Sequence, residues 1–99
     1  MEGLSYEFTT ALWLYEGPGG WTFASLPVAV SAEIKAHVGR GRGFGSVRVT
    51  VTIGASSWQT SIFPDNKAGT YLLPVKAAVR KAEGVEAGDS TTIQIQIAF

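Results

Sequence analysis

The sequence contains no cysteine, which removes disulfides, thiolate nucleophiles and thiolate metal sites at once and favours a reducing, cytoplasmic setting. It has a single histidine, His37. One imidazole without thiolates assembles no metal set and leaves a serine no obvious base. Net charge is also missing, since eight Lys and Arg balance eight Asp and Glu. Without a long-range field, nucleic acid or a membrane surface would be met only by a local patch. No apolar run approaches the ~20 residues that span a bilayer. The N-terminus lacks the basic and apolar regions of a signal peptide. Cytoplasmic location and no membrane partner are the expectations.

What remains is a chain of 99 residues that is 45% hydrophobic and 11% aromatic. That is enough for one domain, 1–99, with one core. Residues 5–16 alternate, with Tyr6, Phe8, Leu12 and Leu14 on one face and Glu7, Thr9, Trp13 and Tyr15 on the other, the period of a strand. A Gly-Pro-Gly-Gly turn (17–20) leads to a second short strand at 21–25. Pro27 opens a helix whose stripe is Val30, Ile34 and Val38. After a glycine-rich loop, Val47, Val49, Val51 and Ile53 alternate with Arg48, Thr50 and Thr52. A turn at Gly54 leads to a strand through Trp58, Thr60 and Ile62, a loop over 64–69, and a strand over 70–73. Pro74 opens a second helix with Val75, Ala78, Val79 and Ala82 inward, and Ile93, Ile95 and Ile97 mark the last strand.

The order is ββαβ twice, each half with a hairpin, a Leu-Pro helix start (Leu26-Pro27 and Leu73-Pro74) and a return strand. Six strands with one apolar face must close or be covered, so the fold class is mainly β: a small barrel with two short helices as plugs. Because the duplication supplies both halves in one chain, a monomer is expected.

The segments Gly-Gly-Trp-Thr-Phe-Ala-Ser-Leu-Pro (19–27), Arg-Gly-Phe-Gly-Ser-Val-Arg-Val (42–49), Ser-Ile-Phe-Pro-Asp (61–65) and Tyr-Leu-Leu-Pro-Val-Lys-Ala-Ala-Val-Arg-Lys-Ala-Glu-Gly (71–84) resemble the bacterial domain of unknown function 1905 family, in order and over nearly the whole chain. The resemblance implies a double-split β-barrel with an internal duplication. It also implies a setting in which the domain stands alone or works with a bacteriocin-protection-like domain. It supplies no activity and no functional residue. The stretch from Leu73-Pro74 to the last strand is more distantly similar to AbrB/MazE-like regulators and antitoxins, in which two copies of a shorter unit pair into a DNA-binding barrel. Such kinship concerns architecture and does not carry function.

No catalytic constellation emerges. Glu83 and Glu86 flank Gly84 at a helix end, Asp65 and Asp89 sit in turns that favour aspartate, and Ser56, Ser57 and Ser61 lack a nucleophile-elbow setting. His37 falls in the last turn of a helix, where a cation suits the dipole, so its reading is structural. An enzyme is not expected, nor is a cofactor.

Two binding readings remain. Residues 34–64 contain no acid but include Lys35, Arg40, Arg42 and Arg48. Gly39, Gly41, Gly43 and Gly45 give G-x-G-x-G-x-G after a helix and before a strand, the reverse of a dinucleotide site. The loop is either a connector between barrel halves or a cradle for an anion. On the cradle reading Gly41, Gly43, Arg40, Arg42 and Arg48, with Lys76 and Arg80 on the second helix, bind nucleic acid or a phosphate-bearing small molecule. The second reading concerns Trp13, Trp21, Trp58, Phe63 and Tyr71, which could line a ligand pocket. In so small a domain most of these belong to the core. Trp13 lies opposite Phe8 and Leu12 and is the ring expected to be exposed, so Trp13 and Tyr15 are candidates for a protein-partner surface.

Overall fold

The computed structural model describes residues 3–38 and 45–98. Its strands are β1 (Gly3–Leu14), β2 (Thr22–Ser25), β3 (Val47–Ile53), β4 (Ser56–Asp65), β5 (Thr70–Pro74) and β6 (Ser90–Ala98). The helices are α1 (Val28–Val38), between β2 and β3, and α2 (Ala77–Glu83), between β5 and β6. The strands close into an antiparallel barrel in the order β1-β2-β5-β4-β3-β6. Exchanging the first ββαβ unit for the second maps this ring onto itself, so the duplication expected from the sequence is the architecture.

Four pairings join the halves, β2–β5, β3–β4, β3–β6 and β1–β6, and two of them map onto themselves in that exchange. In one, Val51 of β3 pairs with Ile95 of β6. In the other, β2 pairs with β5 through Ala24 with Leu73 and Ser25 with Leu72. Period-two alternation sends Val49, Val51, Ile53, Ile93, Ile95 and Ile97 inward, where all are buried. Ile34 of α1 and Val79 of α2 join the same core, so each helix contributes an apolar plug.

Polar contacts fix the helices. The Tyr6 hydroxyl donates to Glu33 Oε1 on α1 at 2.8 Å, and the backbone N–H of Tyr71 donates to Ser31 Oγ at 3.0 Å. Burial, followed by the Glu33 contact, pushes the Tyr6 phenol up to about 12. Burial alone raises that of Tyr71. On α2, Glu83 accepts from Ser56 Oγ at 2.5 Å and from the Ala55 N–H at 3.4 Å, tying that helix to the β3–β4 turn.

Three details differ from the sequence reading. Leu14, expected inward, is 54% exposed, because it lies opposite Thr22 at the end of the β1–β2 ladder. The second helix begins later than Pro74. Pro74 is still paired with Phe23 in the sheet, and the Val75 N–H donates to Thr22 O at 2.9 Å. Sheet pairing thus holds both residues before the helix starts, and Ala78 and Ala82 are exposed. Finally, β4 continues through Pro64, where the sequence predicts a loop. Tyr71, opposite Pro64, directs its N–H to Ser31 and its carbonyl to the Leu26 N–H. No ladder bond is therefore asked of the proline, which has no N–H to give.

Candidate functional site

The outer face of the barrel over β1, β2, β5 and β4 is apolar and concave. The inward parity that buries Leu12, Ala24, Leu73 and Ile62 turns their neighbours Trp13, Phe23, Leu72 and Phe63 outward. Cross-strand pairing then sets them in rows: Trp13 opposite Phe23, Phe23 opposite Pro74, and Leu72 opposite Phe63. With Tyr15, Trp21, Pro64 and Asp65 they line an open cleft of about 650 Å³.

Phe23 is the hub of the aromatic wall. Its ring centroid lies 5.3 Å from that of Trp13, 6.1 Å edge-on from Tyr15, and 6.2 Å from a nearly parallel Trp21. These are ordinary contact separations for aromatic pairs. The β1–β2 turn positions the rim, with the Tyr15 N–H donating to Trp21 O at 2.8 Å across its base. Gly19 has φ +99°, and a Cβ there would come within 2.8 Å of Trp21 Nε1. A Cβ at Gly17 would collide with the Tyr15 ring. Glycine at these two places is thus what lets both rings lie back over the turn.

Exposure is distributed otherwise than the sequence suggested. Trp13 is half-buried and donates its indole N–H to Ser25 Oγ at 2.9 Å. The exposed members are Trp21 at 55%, Tyr15 at 46% and Phe63 at 46%. Trp13 is the one expected to be open, yet the packed Phe23 ring and the Ser25 hydroxyl cover it. Trp58 is half-buried against the core and Tyr71 is buried, as expected of most aromatics in so small a barrel. Among the described residues lining the cleft, Asp65 alone carries a charge.

The basic residues are not brought together comparably. Arg40, Gly41, Arg42 and Gly43 lie outside the described residues. Arg48 is exposed on the outer face of β3, opposite Ser61. Lys76 is exposed at the N-cap position of α2. Arg80 is half-buried and spends its Nε–H on Val75 O at 3.1 Å. It shares a shallow hollow with Lys81 and Glu86 that does not include Arg48. His37 is exposed, its Nδ1 3.0 Å from the Glu33 carbonyl of its own helix. Among the described residues no group of three or more His, Asp or Glu could hold a metal ion, and no helix is long and apolar enough to cross a membrane.

Sequence reasoning named Trp13 and Tyr15 for a partner surface and Trp21 and Phe63 among the candidates for a pocket lining, and left Phe23 out. The signal was present in the parity of β2 and β4, which sets Phe23 and Phe63 opposite Ala24 and Ile62. What the parity could not supply was the strand order that makes β1, β2, β5 and β4 neighbours.

A comparison with curated proteins finds no match. Residues 8–95 match the family described as Domain of unknown function (DUF1905). With that match running from β1 to β6 of a closed, internally duplicated six-strand barrel, the chain belongs to the DUF1905 family.

Proposed function

We propose that this domain is a non-enzymatic, cytoplasmic binding module, monomeric because one chain supplies both half-barrels, and that it docks another protein through the outer aromatic cleft. The observation that carries this reading is the exposure of Trp21, Tyr15 and Phe63 around Phe23 on one concave face. Large rings left in water forgo the stabilisation that burial would give, and rigid aromatics are the side chains that dominate protein interfaces. Such clustering on a face that folding does not need to cover marks a partner site.

Anion binding by the glycine- and arginine-rich loop stands second. It is supported by the acid-free stretch from residue 34 to 64 and by the exposed Arg48 and Lys76. The two readings separate in a shift-perturbation titration of the isotope-labelled domain. The probes are a mixture of short random-sequence peptides on one side, and ATP, single-stranded and duplex oligonucleotides on the other. Peptide-induced shifts at Tyr15, Trp21, Phe23, Phe63 and Leu72 are expected. Silence there, with salt-sensitive oligonucleotide shifts around Arg48, would overturn the order of preference.

A further inference from the structure

We infer that the cleft takes a proline-rich segment in the polyproline II conformation, carrying one basic side chain that meets Asp65. This rests on the protein-docking reading above and narrows it to one class of ligand.

Across the cleft β1, β2, β5 and β4 are paired to one another without a gap, so a peptide cannot insert a strand within this face. The aromatic rings touch one another at 5.3–6.2 Å between centroids. They therefore form a filled platform rather than the hollow cage that surrounds a quaternary ammonium group. Hydrogen-bonding capacity then discriminates among what can lie on a platform. The exposed Trp21 and Tyr15 carry an indole N–H and a phenol O–H over the β1–β2 turn at the rim, whereas Trp13 already spends its N–H on Ser25. Among the described residues lining the cleft, the one charged acceptor is Asp65.

A sugar presents many hydroxyls that need acceptors as well as donors, and this apolar lining would leave most of them unpaired. An amphipathic helix offers an apolar stripe with its backbone already bonded, so it would leave the rim donors without carbonyl acceptors. A polyproline II chain is the complement. Its carbonyls are free to accept, its prolines have no N–H to satisfy, and its rings lie well on aromatic faces. It also loses little conformational freedom on binding, because proline fixes the backbone beforehand.

The dimensions agree. Four adjacent strands at ~4.8 Å spacing set the outermost side chains about 14 Å apart. A polyproline II turn of three residues rises about 9 Å, so about one and a half turns cross the cleft. A lysine or arginine flanking the prolines would then reach Asp65 at the β4 side.

The test is a titration of the domain with three synthetic peptides: Pro-Pro-Pro-Pro-Arg, the same peptide with alanine for every proline, and the same peptide ending in glutamate. The first should shift the cleft amides and the Trp21 emission, and the other two should bind more weakly. Trp21→Ala should weaken the first by about tenfold or more, as loss of an interface anchor does. Asp65→Asn should reduce affinity about threefold to tenfold and lower its salt dependence. Amide dispersion matching the wild type checks that each variant is folded. Equal cleft binding of the alanine peptide would overturn the polyproline proposal while leaving the docking reading standing. So would cleft shifts from random peptides but none from the proline peptide. If no peptide of either kind perturbs the cleft, both fall.

Discussion

Ile95 lies where the two halves of the barrel meet, and its truncation tests whether the inward alternation carries the fold. It is fully buried, opposite Tyr6 of β1 on one side and Val51 of β3 on the other. Ile95→Ala removes three carbons, each worth about 0.8 kcal/mol on transfer from water. A neighbourhood held by closed pairing on both sides collapses little, so a cavity cost of about 1 kcal/mol adds to this. The total is about 3–4 kcal/mol, out of the 5–15 kcal/mol typical of a whole domain, as an order-of-magnitude figure.

In urea the midpoint should fall while the slope is unchanged, and the melting temperature should drop by about 12–30 °C for a chain of this length. The control is Gln96→Ala, one residue further along β6 and exposed on the outer face opposite Ser5. It should stay within about 0.5 kcal/mol of wild type. Comparable losses in the two variants would refute the inside–outside assignment of β6 and the register that follows from it.

Three further outcomes are expected. Because the folded-state pKa of Tyr6 lies near 12, above the ordinary 10, its contribution is fully present below pH 10 and is lost as pH rises toward 12. Tyr6→Phe should flatten that alkaline loss in denaturant titrations without abolishing it, since Tyr71 is raised as well. A Tyr6→Phe slope identical to wild type would refute the raised Tyr6 pKa. Thr70 Oγ1 is buried with no hydrogen-bond partner among the described residues. Thr70→Val should therefore raise stability by about 1 kcal/mol, and a lower melting temperature would contradict this. Light scattering should give the mass of one chain at every concentration. A concentration-independent dimer mass would show that duplication has not replaced dimerisation.

The fold was legible because its signals are local and redundant. Alternation in residues 47–53 and 93–97 names two strands and their buried faces, and the repeated Leu-Pro marks the two halves. Helix α2 was less legible, because Pro74 is a favourable first helical residue and an acceptable last strand residue alike. Only its pairing with Phe23 decides between them. The site was half legible for the same reason. Parity along β1 turns Trp13 and Tyr15 outward, but how far each is covered depends on a neighbour from another strand. Ser25 and Phe23 close over Trp13, while Trp21, stacked on Phe23 on one side, stays 55% exposed.

The duplication itself argues that the aromatic wall is not a requirement of the barrel. Aligned on Leu26-Pro27 and Leu73-Pro74, Phe23 of the first half corresponds to Thr70 of the second. The Trp13–Phe23 pair of β1 and β2 accordingly occupies the place that Asp65–Thr70 holds in β4 and β5. The same architecture thus closes with an acid and a hydroxyl in one half and with two aromatic rings in the other. The inward residues at the matching positions, Ala24 and Tyr71, are buried in both. The outer face of the β3–β6 junction makes the same point, since Thr50 and Thr52 of β3 lie beside Gln96 and Gln94 of β6 with no aromatic among them. Packing accounts for what points inward in both halves, and it does not account for Trp13, Tyr15, Trp21 and Phe23 gathering outward in only one. A ring cluster that strand pairing tolerates but does not demand, set beside the acid of the opposite half, is the arrangement an asymmetric partner with an apolar body and one cationic end would require.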